Sequence, residues 1–105
     1  MKLKREIKFY DKVSAPASGE VIRNNLGGSV LQLDITGTGF EIQVEGLVSY
    51  DSVFRNVCAI SDTTYDSFTS ITTPGFYKVD ISGYRAYKVN LIKVSGEVTC
   101  IGLEV

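Results

Sequence analysis

Hydrophobic and polar residues alternate along most of this chain. The segments VLQLDIT (30–36) and FEIQVEG (40–46) both show an apolar residue at nearly every second position. A period of two is typical of a strand with one buried face and one face toward solvent. Gly37 and Gly39 lie between the two segments and supply the positive φ values that a tight reversal needs. The pattern therefore predicts a β-hairpin over residues 30–46.

The start of the chain shows the same alternation. In residues 5–13, Ile7, Phe9 and Val13 share one face, whereas Tyr10 points to the other. This pattern predicts a first strand with an apolar inner face, and it predicts that Tyr10 faces outward.

Three later segments predict shorter or less regular strands. Residues 20–23 are a short extended piece that suits a sheet edge. Residues 53–61, VFRNVCAIS, are apolar on both faces, which predicts a strand that is buried on both sides or contains a bulge. A brief strand is expected over residues 67–72, before a turn at Pro74 and Gly75.

A second hairpin is predicted over residues 76–91, with its turn at SGY (82–84). Tyr77 and Tyr87 fall in register with inward aliphatic residues, so we expect both rings in the core. Tyr84 and Arg85 lie at the turn, outside this register, and are candidates for an interface.

The last strand, VTCIGLEV (98–105), changes its inward face along its length. Val98 and Cys100 face one way, and Ile101 and Leu103 the other. Because one extra residue turns every following side chain over, the pattern predicts a bulge near Cys100.

These segments together indicate an all-β protein. No stretch of ten or more residues has a helical period, and turn residues recur at short intervals. We predict one domain over residues 1–105, a single antiparallel β-sandwich of about 8–9 short strands. Its layout is immunoglobulin-like or jelly-roll-like, and the sequence does not choose between them.

Composition fits a globular domain, and charge adds one feature. The 105 residues are 44% hydrophobic and 22% charged, with a net charge of −1. The first twelve residues, however, contain five bases and two acids, and Lys2, Lys4 and Arg5 are clustered. We predict a solvated first strand or a basic N-terminal arm at residues 1–5, with these three bases as candidate interface residues. A basic edge and an acidic body also suggest attraction between identical copies.

Candidate chemistry is sparse. Histidine is absent, which removes the commonest general base and metal ligand. Cys58 and Cys100 lie in apolar runs and are predicted to be buried free thiols, although a disulfide is open if their strands face each other.

Acidic residues offer two weak alternatives. Glu41 and Glu45 share a strand face and would suit glycoside hydrolysis only in a concave site. Asp51, Asp62 and Asp66 lie in loops without the spacing of a dedicated calcium site. We therefore expect no enzymatic activity, no metal site and no cofactor.

Aromatic residues are the better candidates for recognition. Tyr50, Tyr65 and Tyr84 fall in predicted loops, and Tyr10 is predicted to face outward. Exposed tyrosines of this kind anchor protein interfaces or stack on carbohydrate. Neither a signal-peptide core nor an apolar run of about 20 residues is visible, so we expect no export by that route and no membrane span.

The ordered motifs resemble those of small β-sandwich virion proteins of tailed bacteriophages and prophages of Gram-positive bacteria. Such proteins carry a G-x-x-x-L-x-V-x-G-T hairpin, an I-T-x-P-G-x-Y-x-V-x-I-x-G segment and a closing strand pair with S-G-x-V-x-V-x-G. The matching residues of the first motif are Gly28, Leu31, Leu33, Ile35, Gly37 and Thr38. Those of the second are Ile71, Pro74, Gly75, Tyr77, Val79, Ile81 and Gly83. Those of the third are Val89, Leu91, Ser95, Gly96, Val98 and Gly102.

The resemblance implies a non-enzymatic virion protein, either a capsid decoration protein or a component of the tail or fibre. It implies many copies, made in the cytoplasm of the host bacterium, with other virion proteins and copies of itself as partners. Neither nucleic acid nor a membrane is an expected partner. The alternative is a β-sandwich module for adhesion or receptor binding that recognises carbohydrate on the bacterial cell surface.

Overall fold

The computed structural model describes residues 5–24 and 27–105, and these residues form ten β-strands and no helix. The part described therefore contains no apolar helix that could cross a membrane. The strands are β1 (Arg5–Val13), β2 (Ile22–Arg23), β3 (Val30–Gly37), β4 (Phe40–Leu47), β5 (Arg55–Val57), β6 (Ala59–Ser61), β7 (Ser67–Phe68), β8 (Gly75–Asp80), β9 (Ala86–Val94) and β10 (Val98–Glu104).

The strands form two antiparallel sheets that face each other across one core. The six-stranded sheet has the order β1-β10-β3-β8-β6-β7, and the four-stranded sheet has the order β2-β9-β4-β5. The predicted all-β sandwich is confirmed. Ten strands replace the eight or nine expected, because residues 53–61 contribute two short strands and not one.

The pairing of the strands is that of a jelly roll. β1 pairs with β10, β2 with β9, β3 with β8 and β4 with β5, as in one long antiparallel ribbon folded over on itself. In addition, β10 pairs with β3 in the six-stranded sheet and β9 pairs with β4 in the four-stranded sheet. The remaining strands, β6 and β7, extend one edge of the six-stranded sheet.

Neither predicted hairpin forms. β3 and β4 lie in different sheets, and so do β8 and β9, so each turn is an arch that carries the chain across the sandwich. The strands themselves and their inward faces are as predicted. Two strands with one apolar face each can bury those faces equally well by stacking as by pairing, so alternation alone did not distinguish the two arrangements.

The arch between β3 and β4 depends on Gly37. Its φ is 134°, and a Cβ at this position would collide with the Glu97 carbonyl oxygen. The neighbouring Thr38 N–H donates to that same carbonyl at 3.1 Å. The arch therefore rests directly on the turn between β9 and β10.

Residues 53–61 change sheets at Cys58. β5 belongs to the four-stranded sheet and β6 to the six-stranded sheet, and Cys58 lies exposed at the crossing between them. The prediction that Cys58 is buried is therefore wrong, whereas Cys100 is buried as predicted. Both thiols are free, so no disulfide joins them.

The irregularities predicted for the last strand lie in the first strand. β10 keeps an unbroken register with β3 from Val98 to Glu104, so Ile101 and Leu103 lie on the outer face of the sheet, and the predicted bulge near Cys100 is wrong. In β1, by contrast, the register shifts between Lys8 and Tyr10.

This shift turns Tyr10 into the core. Its side chain is only 7% exposed, and its hydroxyl donates to the Val89 carbonyl oxygen at 2.6 Å. The prediction that Tyr10 faces outward is wrong, because an extra residue in β1 reverses the side on which Tyr10 lies. Tyr77 and Tyr87 are buried as predicted.

Candidate interaction surface

Three connections meet at one end of the sandwich: residues 24 and 27–29, residues 48–54 and residues 81–85. We call these residues, together with the adjoining Arg23 of β2, the loop end. The Asn24 side-chain amide donates to the carbonyl oxygens of Ile81 and Tyr84 at 3.1 and 3.2 Å. The Arg85 N–H donates to the Leu47 carbonyl oxygen at 2.8 Å. These bonds hold the three connections in a fixed arrangement.

Tyr50 is the central exposed ring of the loop end. Its side chain is 56% exposed, and the guanidinium carbons of Arg23 and Arg85 lie 5.6 and 6.0 Å from the ring centroid. Cation–π contacts at such exposed sites contribute about 0.5–1 kcal/mol each, enough to favour one orientation of the ring. Sequence reasoning found Tyr50 and Arg85 but missed Arg23, which is placed beside Arg85 because Arg23 pairs with Ala86.

Tyr84 packs between the loop end and the end of strand β4. Its ring is half-buried and packs on Gly46, where a Cβ would lie 2.5 Å from the ring Cδ1. Gly46 is buried in β4, so the ring covers the end of the four-stranded sheet. Tyr84 is thus both a packing residue and part of the surface.

The charges of the loop end are unbalanced. The loop end contains Arg23, Arg85 and one exposed carboxylate, that of Asp51. No carboxylate of the described residues, Asp51 included, lies within 4.0 Å of either guanidinium group. Val48 and Val53, 62% and 63% exposed, flank Tyr50 along the chain. The surface therefore combines two available guanidinium groups with an exposed ring and aliphatic side chains.

Arg5 is held in a partly buried cluster close to this end. Its Nη2 lies 2.7 Å from Oε2 of Glu104, which is 2% exposed, and it also donates to the Arg23 carbonyl oxygen at 3.0 Å. The Tyr87 hydroxyl donates to the same carboxylate. The hydrogen bond to Glu104 raises the pKa of Arg5, and burial raises the pKa of Tyr87. Lys2 and Lys4, the other two bases of the predicted arm, lie outside the described residues.

The remaining predicted tyrosines do not join the loop end. Tyr65 lies in the turn between β6 and β7, is 80% exposed and has a φ of 62°. Tyr10 is in the core and is not available to a partner. The structure therefore brings together Tyr50, Tyr84 and Arg85 of the predicted interface residues.

Glu41 and Glu45 each have partners on the outer face of β4. Glu41 accepts a hydrogen bond from the Ser70 hydroxyl at 2.9 Å, and Glu45 accepts one from the Asn90 amide and lies 3.8 Å from the Lys88 amine. Four residues of extended strand span about 13 Å. This spacing along the strand exceeds the carboxylate separation of about 5–9.5 Å in glycoside hydrolases.

The loop aspartates are dispersed. Asp62 lies 3.7 Å from the amine of Lys78, and Asp66 lies in the same connection between β6 and β7, whereas Asp51 lies between β4 and β5. Nowhere in residues 5–24 and 27–105 do three metal-ligating side chains come together.

A second surface feature lies on the outer face of the six-stranded sheet, and we call it the outer groove. It is a depression of about 230 Å³ lined in part by the apolar side chains of Phe76, Ile101 and Leu103. Phe76 is 59% exposed. Three acids and no base line the groove among the described residues: Glu6, Asp34 and Asp62. Sequence reasoning missed the groove because the expected bulge in β10 pointed Ile101 and Leu103 inward.

Comparison with known proteins gives matches in structure only. No protein-family model matches the sequence, and the search of curated proteins found no match. Among solved structures, the SPBc2 prophage-derived protein YomS is similar with a TM-score of 0.84 at 20% identity, over 96% of this chain and 91% of YomS. PBSX exported protein XepA is similar with a TM-score of 0.87 at 15% identity, over 97% of this chain and 37% of XepA.

These matches show a shared fold. The chain accounts for nearly all of YomS but for little more than a third of XepA. The resemblance to β-sandwich proteins of phages and prophages is thereby confirmed in fold, and YomS is itself prophage-derived.

Proposed function

We propose that this chain is a non-enzymatic structural protein of a bacteriophage or prophage virion, present in many copies on the capsid as a decoration protein or in the tail. The observation that carries the proposal is the similarity to prophage-derived YomS, which extends over 96% of this chain and 91% of that one. A similarity that runs nearly end to end in both chains relates the whole of this domain to a prophage product.

The character of the surface supports the same function. Jelly rolls recur in viral capsid proteins and in lectins, so the fold alone does not assign a role, which must be argued from the surface. The loop end presents two arginines and an exposed tyrosine ring, and the outer groove contains an exposed phenylalanine. Tyrosine, phenylalanine and arginine are the residues enriched in the cores of protein interfaces.

The proposed partners are other virion proteins and copies of the chain itself. The protein would be made in the cytoplasm of the host bacterium and would reside in the virion. No nucleic acid or membrane partner is part of the proposal, because the two guanidinium groups beside Tyr50 form one compact site and not a stripe that follows a phosphate backbone.

The proposal is tested on particles released by a strain that encodes the chain. Particles are purified on a density gradient, and the protein is quantified in each fraction by mass spectrometry against a capsid protein. We expect the chain to co-sediment with particles at a fixed ratio of many copies per particle. Recovery only from particle-free fractions would exclude the proposal.

A binding assay with cell walls tests the carbohydrate-binding alternative. Purified protein is incubated with isolated cell walls, and binding is compared with that of Tyr50→Ala, Tyr65→Ala and Tyr84→Ala. A structural role predicts no cell-wall binding by the wild type. Binding that any of these substitutions abolishes would support a cell-surface-binding module in its place.

A further inference from the structure

The loop end and the outer groove carry opposite charge on the same molecule. The loop end offers Arg23 and Arg85 beside Tyr50, with no carboxylate of the described residues within 4.0 Å of either guanidinium. Glu6 and Asp34 line the outer groove, and Asp34 lies between Ile101 and Phe76 in the register of the sheet. From this juxtaposition we infer that the loop end of one copy docks in the outer groove of a second copy, an inference that rests on the proposed multi-copy function.

The acids of the groove are available for such a contact. Asp62 is 3.7 Å from the amine of Lys78, and Lys8, which neighbours the groove on β1, is 3.7 Å from Asp11. Glu6 and Asp34 have no base within 4.0 Å among the residues described. An arginine from another molecule can bind such a carboxylate through two parallel hydrogen bonds.

The size and lining of the groove also suit a protein side chain. Its volume of about 230 Å³ lies below the roughly 300–1,000 Å³ of small-molecule pockets. Phe76, Ile101 and Leu103 provide apolar contacts for a ring. Tyr50 is 56% exposed and is flanked by the two arginines, so its ring would enter the groove while the arginines reach the acids that line it.

The contact joins two different patches, so its geometry has a consequence for assembly. Each copy has one loop end and one outer groove, and a head-to-tail contact of this kind generates a ring when the rotation closes and a filament when it does not. Because charge pairing supplies much of the attraction, the assemblies dissociate as ionic strength rises.

Two neutralised variants test the inference. The end variant, Arg23→Ser with Arg85→Ser, keeps its groove, and the groove variant, Glu6→Gln with Asp34→Asn, keeps its loop end. We expect each alone to self-associate roughly tenfold or more weakly than the wild type in sedimentation velocity. A mixture of the two should form one-to-one dimers and no larger species, because only one complementary pair of surfaces remains.

Matched controls neutralise equal charge elsewhere. Lys12→Gln with Lys93→Gln controls for the end variant, and Glu20→Gln with Glu97→Gln controls for the groove variant. All four control residues are exposed and lie outside both surfaces. Both controls should assemble like the wild type, and circular dichroism should show that every variant is folded.

The outcomes separate this inference from the proposed function. A wild type that remains monomeric at all concentrations, an assembly that neither variant weakens, or a mixture that stays monomeric overturns the inference. In each of these cases the protein would still be found on particles if the proposed function is right. Complementation in the mixture with no protein on purified particles would leave the contact standing and exclude the virion role.

Discussion

Glu104 is the residue whose burial has the clearest energetic consequence. The side chain is 2% exposed, and its Oε2 accepts hydrogen bonds from Arg5 of β1 and Tyr87 of β9, whereas Oε1 has no partner among the described residues. A buried carboxylate is stable only where donors replace the water it has lost. The cluster therefore joins three strands from both sheets at one point.

Tyr87→Phe removes one of these donors without changing the shape of the core. We expect the free energy of unfolding to fall by about 1–3 kcal/mol, because the charged oxygen loses a donor that water cannot replace. Urea denaturation measures the change. Tyr65→Phe is the matched control, since Tyr65 is 80% exposed, and an equal loss in both variants would contradict this account.

The two cysteines differ in access. Cys58 is exposed where the chain crosses between the sheets, and Cys100 is buried in β10. Burial also raises the pKa of Cys100 to about 12, which keeps its thiol protonated and unreactive. We expect an aromatic disulfide reagent to label one thiol per native molecule and two after denaturation.

Substitution assigns the reactive thiol. Cys58→Ala should abolish rapid labelling of the native protein, and Cys100→Ala should leave it unchanged. Rapid labelling of two thiols in the native wild type would show that β10 is more open than the structure implies.

Residue-scale prediction from sequence succeeded where alternation was regular. Tyr77 and Tyr87 were correctly assigned to the core, because the alternation is regular around each ring and the irregularity of β9 comes only after Leu91. Tyr10 was assigned to the wrong side because an extra residue in β1 shifts the register, and nothing in the local sequence marks that residue. Glu104 was not recognised, since a carboxylate at an inward position is expected only when its distant partners are known.

At the scale of elements, Gly37 and Gly83 have nearly the same backbone φ but different space around the Cβ position. Their φ values are 134° and 136°, yet a Cβ would meet the Glu97 carbonyl oxygen at Gly37 and open space at Gly83. Gly83→Ala should therefore report the backbone strain alone, about 1–3 kcal/mol. Gly37→Ala should destabilise the protein by more, because the arch must also move away from the neighbouring turn.

Chemical denaturation of the two variants measures the difference directly. A larger loss for Gly83→Ala than for Gly37→Ala would mean that the arch between β3 and β4 does not rest on the turn between β9 and β10.

Strands were easier to predict than their partners. The alternation of VLQLDIT and FEIQVEG correctly placed β3 and β4, but it is equally compatible with a hairpin and with an arch. The choice depends on which distant strands compete for each edge, and β3 pairs with β8 and β10 in place of β4. The same limit explains why the sequence predicted Tyr50, Tyr84 and Arg85 as interface residues but not Arg23. Arg23 lies beside Tyr50 only because β2 pairs with β9.

For the whole molecule, buried ionisable groups predict a loss of stability at high pH. Burial raises the pKa of Tyr10, Tyr87 and Cys100 above their ordinary values of 10.0, 10.0 and 9.0. As pH rises, the unfolded chain loses these protons first, so it binds fewer protons than the native state and the free energy of unfolding falls. Stability should be full below about pH 9 and should decline above it.

The contribution of Cys100 to this loss of stability at high pH can be measured by substitution. Urea midpoints measured between about pH 8 and about pH 11 should fall less steeply for Cys100→Ala than for the wild type. Cys58→Ala, which removes the exposed thiol, should keep the wild-type slope. Equal slopes for all three proteins would show that Cys100 does not contribute to the alkaline transition.

The pairing of β1 with β10 also determines when folding can be completed. During synthesis, β1 emerges before residues 98–104, and among the described strands it pairs with β10 alone. Most other pairings also join distant parts of the chain, and topologies of this kind fold on a scale of milliseconds to seconds. The nascent chain therefore exposes the edge of β1 until β10 has emerged from the ribosome, the interval in which it is most exposed to aggregation and to chaperones.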